Sequence, residues 1–317
     1  LVSPLVQAAA SRRMVVLLVV LSALLLVFLM QGRALVVPTA KRVVLVTGAN
    51  KGIGKEIARR LGSLPDHTVV LGCRDEQLGS KAAAELQAAG CDAVFSRLDL
   101  TDASTFEATR DLIERQFGRL DVLVNNAAVC FNDPTLYGKV AFTPFEQQAA
   151  ITVNTNFFGT LGVTRAMLPL LRMSQSSPRI VNVASAAGRL RGSRDIQQAF
   201  TSPGLDIPRL SSLMEDFVSA AESGKHLERG WPNTCYGVSK MGLIALNRVL
   251  ALQEPMLMVN SVDPGYCATD QNNNQGHISA ELGASTPVLL SHPQFGDGKF
   301  VSGKHFYEGR EIPWSYQ

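Results

Sequence analysis

One stretch constrains this chain more than any other. The all-apolar run Val43-Val44-Leu45-Val46 leads directly into Thr47-Gly48-Ala49-Asn50-Lys51-Gly52-Ile53-Gly54. An apolar run of this length reads as a strand buried on both faces. Ile53, Ile57, Ala58 and Leu61 then recur at helix spacing. Strand, glycine turn and helix N-terminus together form an anion site: the glycines let the backbone approach a pyrophosphate, and the unpaired N–H groups of the helix start point at it. The spacing does not fit a Walker loop, because Glu56 stands where a Ser or Thr must hold Mg²⁺.

The alternation continues. Thr68–Leu71 reads as a second strand, ending at Gly72-Cys73-Arg74. Ala93–Leu98 reads as a third, followed by Asp99-Leu100, with Thr101-Asp102 capping a helix to about Phe117. A fourth spans Asp121–Val124 and ends at Asn125-Asn126-Ala127-Ala128; two more are expected at Arg179–Ala184 and Met258–Val262. Strands alternating with helices predict an α/β fold with a doubly wound parallel sheet, Rossmann-like and single-domain. Ligands bind at the carboxyl ends of such strands, where every motif so far falls. An NAD site wants a carboxylate for the ribose 2′-hydroxyl at the end of the second strand; this chain has Arg74 there, and Lys51 in the glycine turn. Two cations suit a 2′-phosphate, which favours NADP(H).

Tyr236 and Lys240 open a helix that runs to about Ala251 and share one face of it. A nearby ammonium should lower the phenol's proton affinity toward the range of acid–base work.

With these residues in place, the chain resembles a short-chain dehydrogenase/reductase. Thr47–Gly54 carries T-G-x-x-x-G-x-G and Asn125–Ala127 carries N-N-A. Asn156-Phe157-Phe158-Gly159 carries N-x-x-G, Ser185 ends the fifth strand, Tyr236 and Lys240 follow, and Pro264-Gly265 with Thr269 closes the series. The resemblance implies Tyr236 as general acid, Ser185 as the group orienting the substrate carbonyl, and Lys240 as ribose ligand and modulator of Tyr236. Asn156 would hold a water that feeds protons to Lys240. It further implies cofactor contacts from Gly48, Asn50, Lys51, Gly52, Ile53, Gly54, Arg74, Asp99, Leu100, Asn125, Ala127, Pro264, Gly265 and Thr269. One departure is Ala128, where the family has Gly.

Fifty residues, 186–235, separate Ser185 from Tyr236, and the family commonly has about a dozen. Within them Leu210, Leu213, Met214, Phe217, Val218 and Ala221 make one apolar helix face, ended by Gly224. This insertion, with Gly230-Trp231-Pro232, is similar to the monomeric NADPH-dependent carbonyl reductase branch. That implies a monomer acting on ketones, aldehydes and quinones. Ala186, Ala187, Trp231 and Tyr266 are the candidate substrate contacts beside Ser185 and Tyr236. A reductase of one terpenoid, alkaloid or steroid ketone is the rival reading. A cofactor-binding scaffold without turnover would be expected to have lost part of the Asn156–Ser185–Tyr236–Lys240 set, which is whole.

Ahead of the first strand lies a different kind of segment. Met14–Gly32 is uncharged, and thirteen of the sixteen residues Val15–Met30 are Val, Leu or Phe. Insertion of that run into a bilayer is favourable by about 4–6 kcal/mol. Arg12 and Arg13 precede it in the arrangement of a signal peptide. Residues 1–40 therefore read as a cleaved signal or a retained membrane anchor, with 41–317 as the catalytic domain, secretory-pathway or organelle targeted. The leader also holds the whole basic excess: the chain has 30 Lys plus Arg against 27 Asp plus Glu, and Arg12, Arg13 and Arg33 lie in residues 1–40 with no acid. A neutral body argues against nucleic-acid binding. Five scattered cysteines form neither a disulfide framework nor a zinc site, and no metal is expected.

Overall fold

A computed structural model describes residues 41–131 and 142–315. The leader reading falls on residues 1–40, outside the described residues. Among those described, no helix is long and apolar enough to cross a membrane.

The chain alternates as its apolar runs predict. Strands β1 (Arg42–Thr47), β2 (His67–Cys73) and β3 (Ala93–Arg97) are linked by helices α1 (Gly52–Gly62) and α2 (Glu76–Ala88). Then come α3 (Ala103–Phe117), β4 (Val122–Asn125), α4 (Phe145–Val153), α5 (Thr160–Arg172) and β5 (Arg179–Val183). The second half adds α6 (Arg194–Thr201), α7 (Ile207–Glu222), α8 (Cys235–Gln253), β6 (Met258–Asp263), α9 (Ala280–Gly283), α10 (Ser285–Ser291), β7 (His305–Tyr307) and β8 (Arg310–Glu311). The sheet order is β3-β2-β1-β4-β5-β6-β7-β8, parallel except for the β7–β8 pair. All six expected strands form. The short β7 and β8, and α6 with only Ile196 and Phe200 buried, carry too little pattern to be read from sequence.

β1 shows why its run is wholly apolar. Val43 and Leu45 enter the core on one face of the sheet, among Ile113, Phe157 and Leu246. Val44 and Val46 enter the core on the other face, among Ile57, Leu61 and Leu86. Each fully buried aliphatic side chain contributes about 1.5–3 kcal/mol. At the start of β1, the buried Asp121 carboxylate accepts from the Val43 backbone N–H at 2.8 Å and pairs with Arg119. This ties the first strand to the entry of β4.

The insertion is a built part of the core. Helix α7 buries Leu210, Met214, Phe217, Ala220 and Ala221 against α4 and α8, and Asp206 caps its start by accepting from Arg209 N–H. Trp231 closes the underside. It is 2% exposed, sits edge-on to Phe217 and Phe200, and donates from Nε1 to the Asp216 carboxylate at 2.9 Å. The sequence reading placed Trp231 at the substrate. The ring instead fills the space between α6, α7 and the approach to α8, so Trp231→Ala is expected to cost about 3–5 kcal/mol. The check is a urea unfolding midpoint; an unshifted midpoint would contradict this placement.

Candidate active site

A cleft of ≈ 340 Å³ runs along the carboxyl ends of β1, β2, β3 and β4. The glycine turn forms its floor. Gly48 has φ +68°, a backbone region that L side chains rarely adopt. At Gly54, a Cβ would lie 2.4 Å from the Gly48 carbonyl and 2.5 Å from Asn126 Nδ2, so the turn closes only on a bare glycine. Helix α1 has no side-chain cap at Lys51 and no acid in its first turn, which leaves its N-terminal N–H groups for an anion. A dinucleotide phosphate fits this cradle.

The structure gathers most of the expected cofactor residues on this one cleft: Gly48, Asn50, Lys51, Gly52, Ile53, Gly54, Arg74, Asp99, Leu100, Ala127 and Thr269, with Ala128 also on the wall. Ala128 is half-buried there. Pro264 lies on a second cavity of ≈ 400 Å³ with Tyr307 and Leu289, and Gly265 (φ +81°) makes the turn after β6.

Asn125 differs from its expected role. Its side chain points into the sheet and donates to Thr164 Oγ1 at 3.0 Å and to Asn182 Oδ1 at 2.9 Å. Asn182 in turn donates to Asn247 Oδ1 on α8 at 3.2 Å. Alternation along β4 sends Asn125 inward, and the neighbouring Asn126 reaches the cleft instead. Asn126 donates to the Thr47 carbonyl at 2.9 Å, while Thr47 Oγ1 accepts from the Asn126 and Ala127 N–H groups, each at 3.0 Å. Asn126, Asn182 and Asn247 were not singled out from sequence as individual residues.

Beyond the cleft, Ser185 ends β5 and its hydroxyl accepts from Ala187 N–H at 3.2 Å, capping the turn Ala186–Gly188. This turn packs directly on α8: a Cβ at Gly188 would lie 2.7 Å from the Lys240 carbonyl carbon. The close approach brings Ser185 and Tyr236 into hydrogen-bonding contact through their side chains. Lys240 is buried, donates from Nζ to the Val183 carbonyl at 2.7 Å, and lies 5.6 Å from the centre of the Tyr236 ring. Thr234 caps α8 by accepting from Gly237 N–H at 3.0 Å. Ala186 is exposed, Ala187 half-buried, and Tyr266 exposed against His277.

Burial sets the protonation of this pair. It pushes the Tyr236 phenol well above its usual range, with the hydrogen bond from Ser185 only partly opposing it. It pulls the Lys240 ammonium down to about 8. The expected lowering of Tyr236 by Lys240 is therefore not seen. The ammonium spends its hydrogen bond on Val183, and desolvation of the phenol dominates. A raised phenol keeps its proton, as a general acid must.

Asn156 sits in a π-helical turn, Asn154–Gly159, between α4 and α5. Such turns often mark functional sites. Its side chain accepts from Val129 N–H at 2.8 Å and donates to the Val129 carbonyl at 2.9 Å and to Ser239 Oγ at 3.0 Å. It clamps the chain after β4 to the Tyr236 helix. Cys130, next to the clamped Val129, is half-buried and shares a side-chain hydrogen bond with Gln271 on the cleft wall. Its thiol was not anticipated at the site, because only tertiary folding brings residues 130, 236 and 271 together.

The comparisons with known proteins agree with this geometry. A family model described as short chain dehydrogenase matches residues 42–196. Carbonyl reductase (NADPH) 1 of Bos taurus is 40% identical over 285 residues, covering 86% of this chain and 98% of that protein. Two solved structures are similar over 84% of this chain and 99% of theirs. Salutaridine reductase from Papaver somniferum has a TM-score of 0.75 at 32% identity, and menthone neomenthol reductase from Mentha piperita has 0.71 at 31%. The chain belongs to the short-chain dehydrogenase/reductase family. It is an oxidoreductase fold built for a nicotinamide dinucleotide, and it resembles the NADPH-dependent carbonyl reductases.

Gly54→Ala tests the cradle. The added methyl would be forced against the Gly48 carbonyl, so dinucleotide affinity should fall by more than about tenfold, as read by calorimetry. Unchanged affinity would place the phosphates elsewhere.

Proposed function

We propose that the protein reduces ketones, aldehydes and quinones to alcohols with NADPH, Tyr236 acting as general acid. The observation that carries this reading is the contact of Ser185 with Tyr236 beside buried Lys240, beyond a cleft floored by the glycine turn. The similarity to carbonyl reductase (NADPH) 1 over most of both chains supports the reaction class. Arg74 and Lys51 on the cleft wall favour the 2′-phosphorylated cofactor.

In this reading a bound reduced nicotinamide supplies the hydride. The chain's own residues do the rest. Ser185 donates to the substrate carbonyl oxygen and holds it against the Tyr236 phenol. Tyr236 gives its proton to that oxygen as negative charge develops there. Lys240, charged below about pH 8, stabilises the phenolate left behind. Asn156 keeps the Tyr236 helix and the β4 exit in register. Ala186 and Ala187 leave room for a bulky substrate, and exposed Tyr266 is a proposed substrate contact.

The chain is proposed to act as a monomer, because α7 covers the flank of α4 and α8. A membrane or targeting role is proposed for residues 14–30 from their sequence. The similarity to salutaridine and menthone reductases supports the rival reading of one specific alkaloid or terpenoid ketone. A carbonyl panel separates the two, since broad turnover of quinones and diketones favours the first.

Tyr236→Phe should lower kcat/KM for NADPH-dependent reduction at least about a hundredfold; near-normal turnover would remove Tyr236 as the acid. The pH profile carries a second test. Lys240 holds its charge below its lowered value and loses it as pH rises through about 8. Reduction by wild type should therefore fall above that pH. In Lys240→Met the descending limb should vanish from an already low rate.

A further inference from the structure

Three carboxylates line the dinucleotide cleft: Asp75, Asp99 and Asp270. Two are consumed by their own loops. Asp75 caps α2 by accepting from Leu78 N–H at 2.8 Å, and Asp99 accepts from the N–H and hydroxyl of Thr101. Asp270 instead reaches across the cleft. Its carboxylate lies 3.0 Å from Lys51 Nζ, and the two side chains are 63% and 62% exposed. Arg74, the other cation of the cleft, makes no ion pair among the described residues.

We propose that Asp270 is a specificity-determining residue for the cofactor: a built-in anion that competes with the 2′-phosphate for Lys51. This rests on the NADPH reading above. Lys51 is the cation of the glycine turn, and an ammonium already paired to a carboxylate offers less to an incoming phosphate. Were the ammonium to bridge both groups, Asp270 would still stand close to a second anion carrying about −1.5 to −2 charge. The sign is the same in either arrangement, so Asp270 disfavours the phosphorylated cofactor and leaves the unphosphorylated one nearly untouched.

The pair is exposed, and isolated exposed pairs are weak. This one is held by preset backbones on both sides. Asn272 pins its turn by accepting from Thr269 N–H at 3.1 Å and donating to the Cys267 carbonyl at 2.8 Å. Thr269 itself packs on the glycine turn, with its Cγ2 3.4 Å from where a Gly52 Cβ would stand. Gln271, the next residue after Asp270, shares a side-chain hydrogen bond with Cys130.

The test is calorimetric binding of NADP⁺ and NAD⁺ to the full chain, wild type beside Asp270→Asn and Asp270→Glu. Asp270→Asn should tighten NADP⁺ about fivefold and change NAD⁺ less than about twofold. Asp270→Glu should restore the wild-type ratio, and the difference should shrink in about 0.5 M salt. Weaker NADP⁺ binding, or equal changes for both cofactors, would overturn the proposal by making Asp270 only a loop support. If wild type bound NAD⁺ as tightly as NADP⁺, the cofactor reading itself would fall. If wild type prefers NADP⁺ and Asp270→Asn leaves that preference unchanged, only the Asp270 proposal falls.

Discussion

The structure turns on the clasp between Thr47 and Asn126. In a doubly wound sheet the crevice opens where strand order reverses, here between β1 and β4. At that point two strand ends must be held together while the chain beyond each diverges. One threonine hydroxyl accepts two N–H groups of the β4 exit, and one asparagine amide returns a bond to the β1 carbonyl. The same amide stands 2.5 Å from where a Cβ on Gly54 would be, so the clasp and the phosphate cradle are one packed unit. Everything on the cleft floor takes its position from it.

A second set of buried polar contacts carries that position to the reacting groups. Asn125, Asn182 and Asn247 hydrogen-bond in sequence from β4 through β5 to α8, and Asn156 clamps Val129 to Ser239 on the same helix. Buried amides are costly unless paired, so such a series tolerates little displacement. The helix it locates presents Tyr236 and Lys240 where desolvation acts in opposite directions on an acid and a base: the phenol keeps its proton and the ammonium is weakened. Both shifts favour the neutral form, so the phenol keeps its proton for the substrate oxygen.

Much of this was legible in the sequence. Fully buried strands leave unbroken apolar runs, which is why all six principal strands could be placed. The glycine turn, Ser185, Tyr236 and Lys240 follow from chemistry that accepts few substitutes. Side-chain direction was harder. Asn125 and Asn126 are chemically identical, and only the pleat decides which faces the cleft. Trp231 lay beside the Tyr236 motif in sequence, yet its indole found Asp216 and the rings of Phe200 and Phe217. The effect of Lys240 on Tyr236 was judged from spacing along the helix, while the Val183 carbonyl that claims the ammonium comes from a strand 57 positions away. Contacts such as Cys130 with Gln271 and Lys51 with Asp270 leave no local pattern at all.

The central claim is that hydride and proton meet at Ser185 and Tyr236, beyond the dinucleotide cleft. The most direct measurement uses NADPH deuterated at the transferring C4 position with a simple diketone, analysing the product by mass spectrometry and NMR. The expected result is one deuterium on the new carbinol carbon in wild type, and at least about a hundredfold less of that product from Tyr236→Phe under the same conditions. A product without deuterium on that carbon, or equal transfer by the Tyr236→Phe protein, would contradict it.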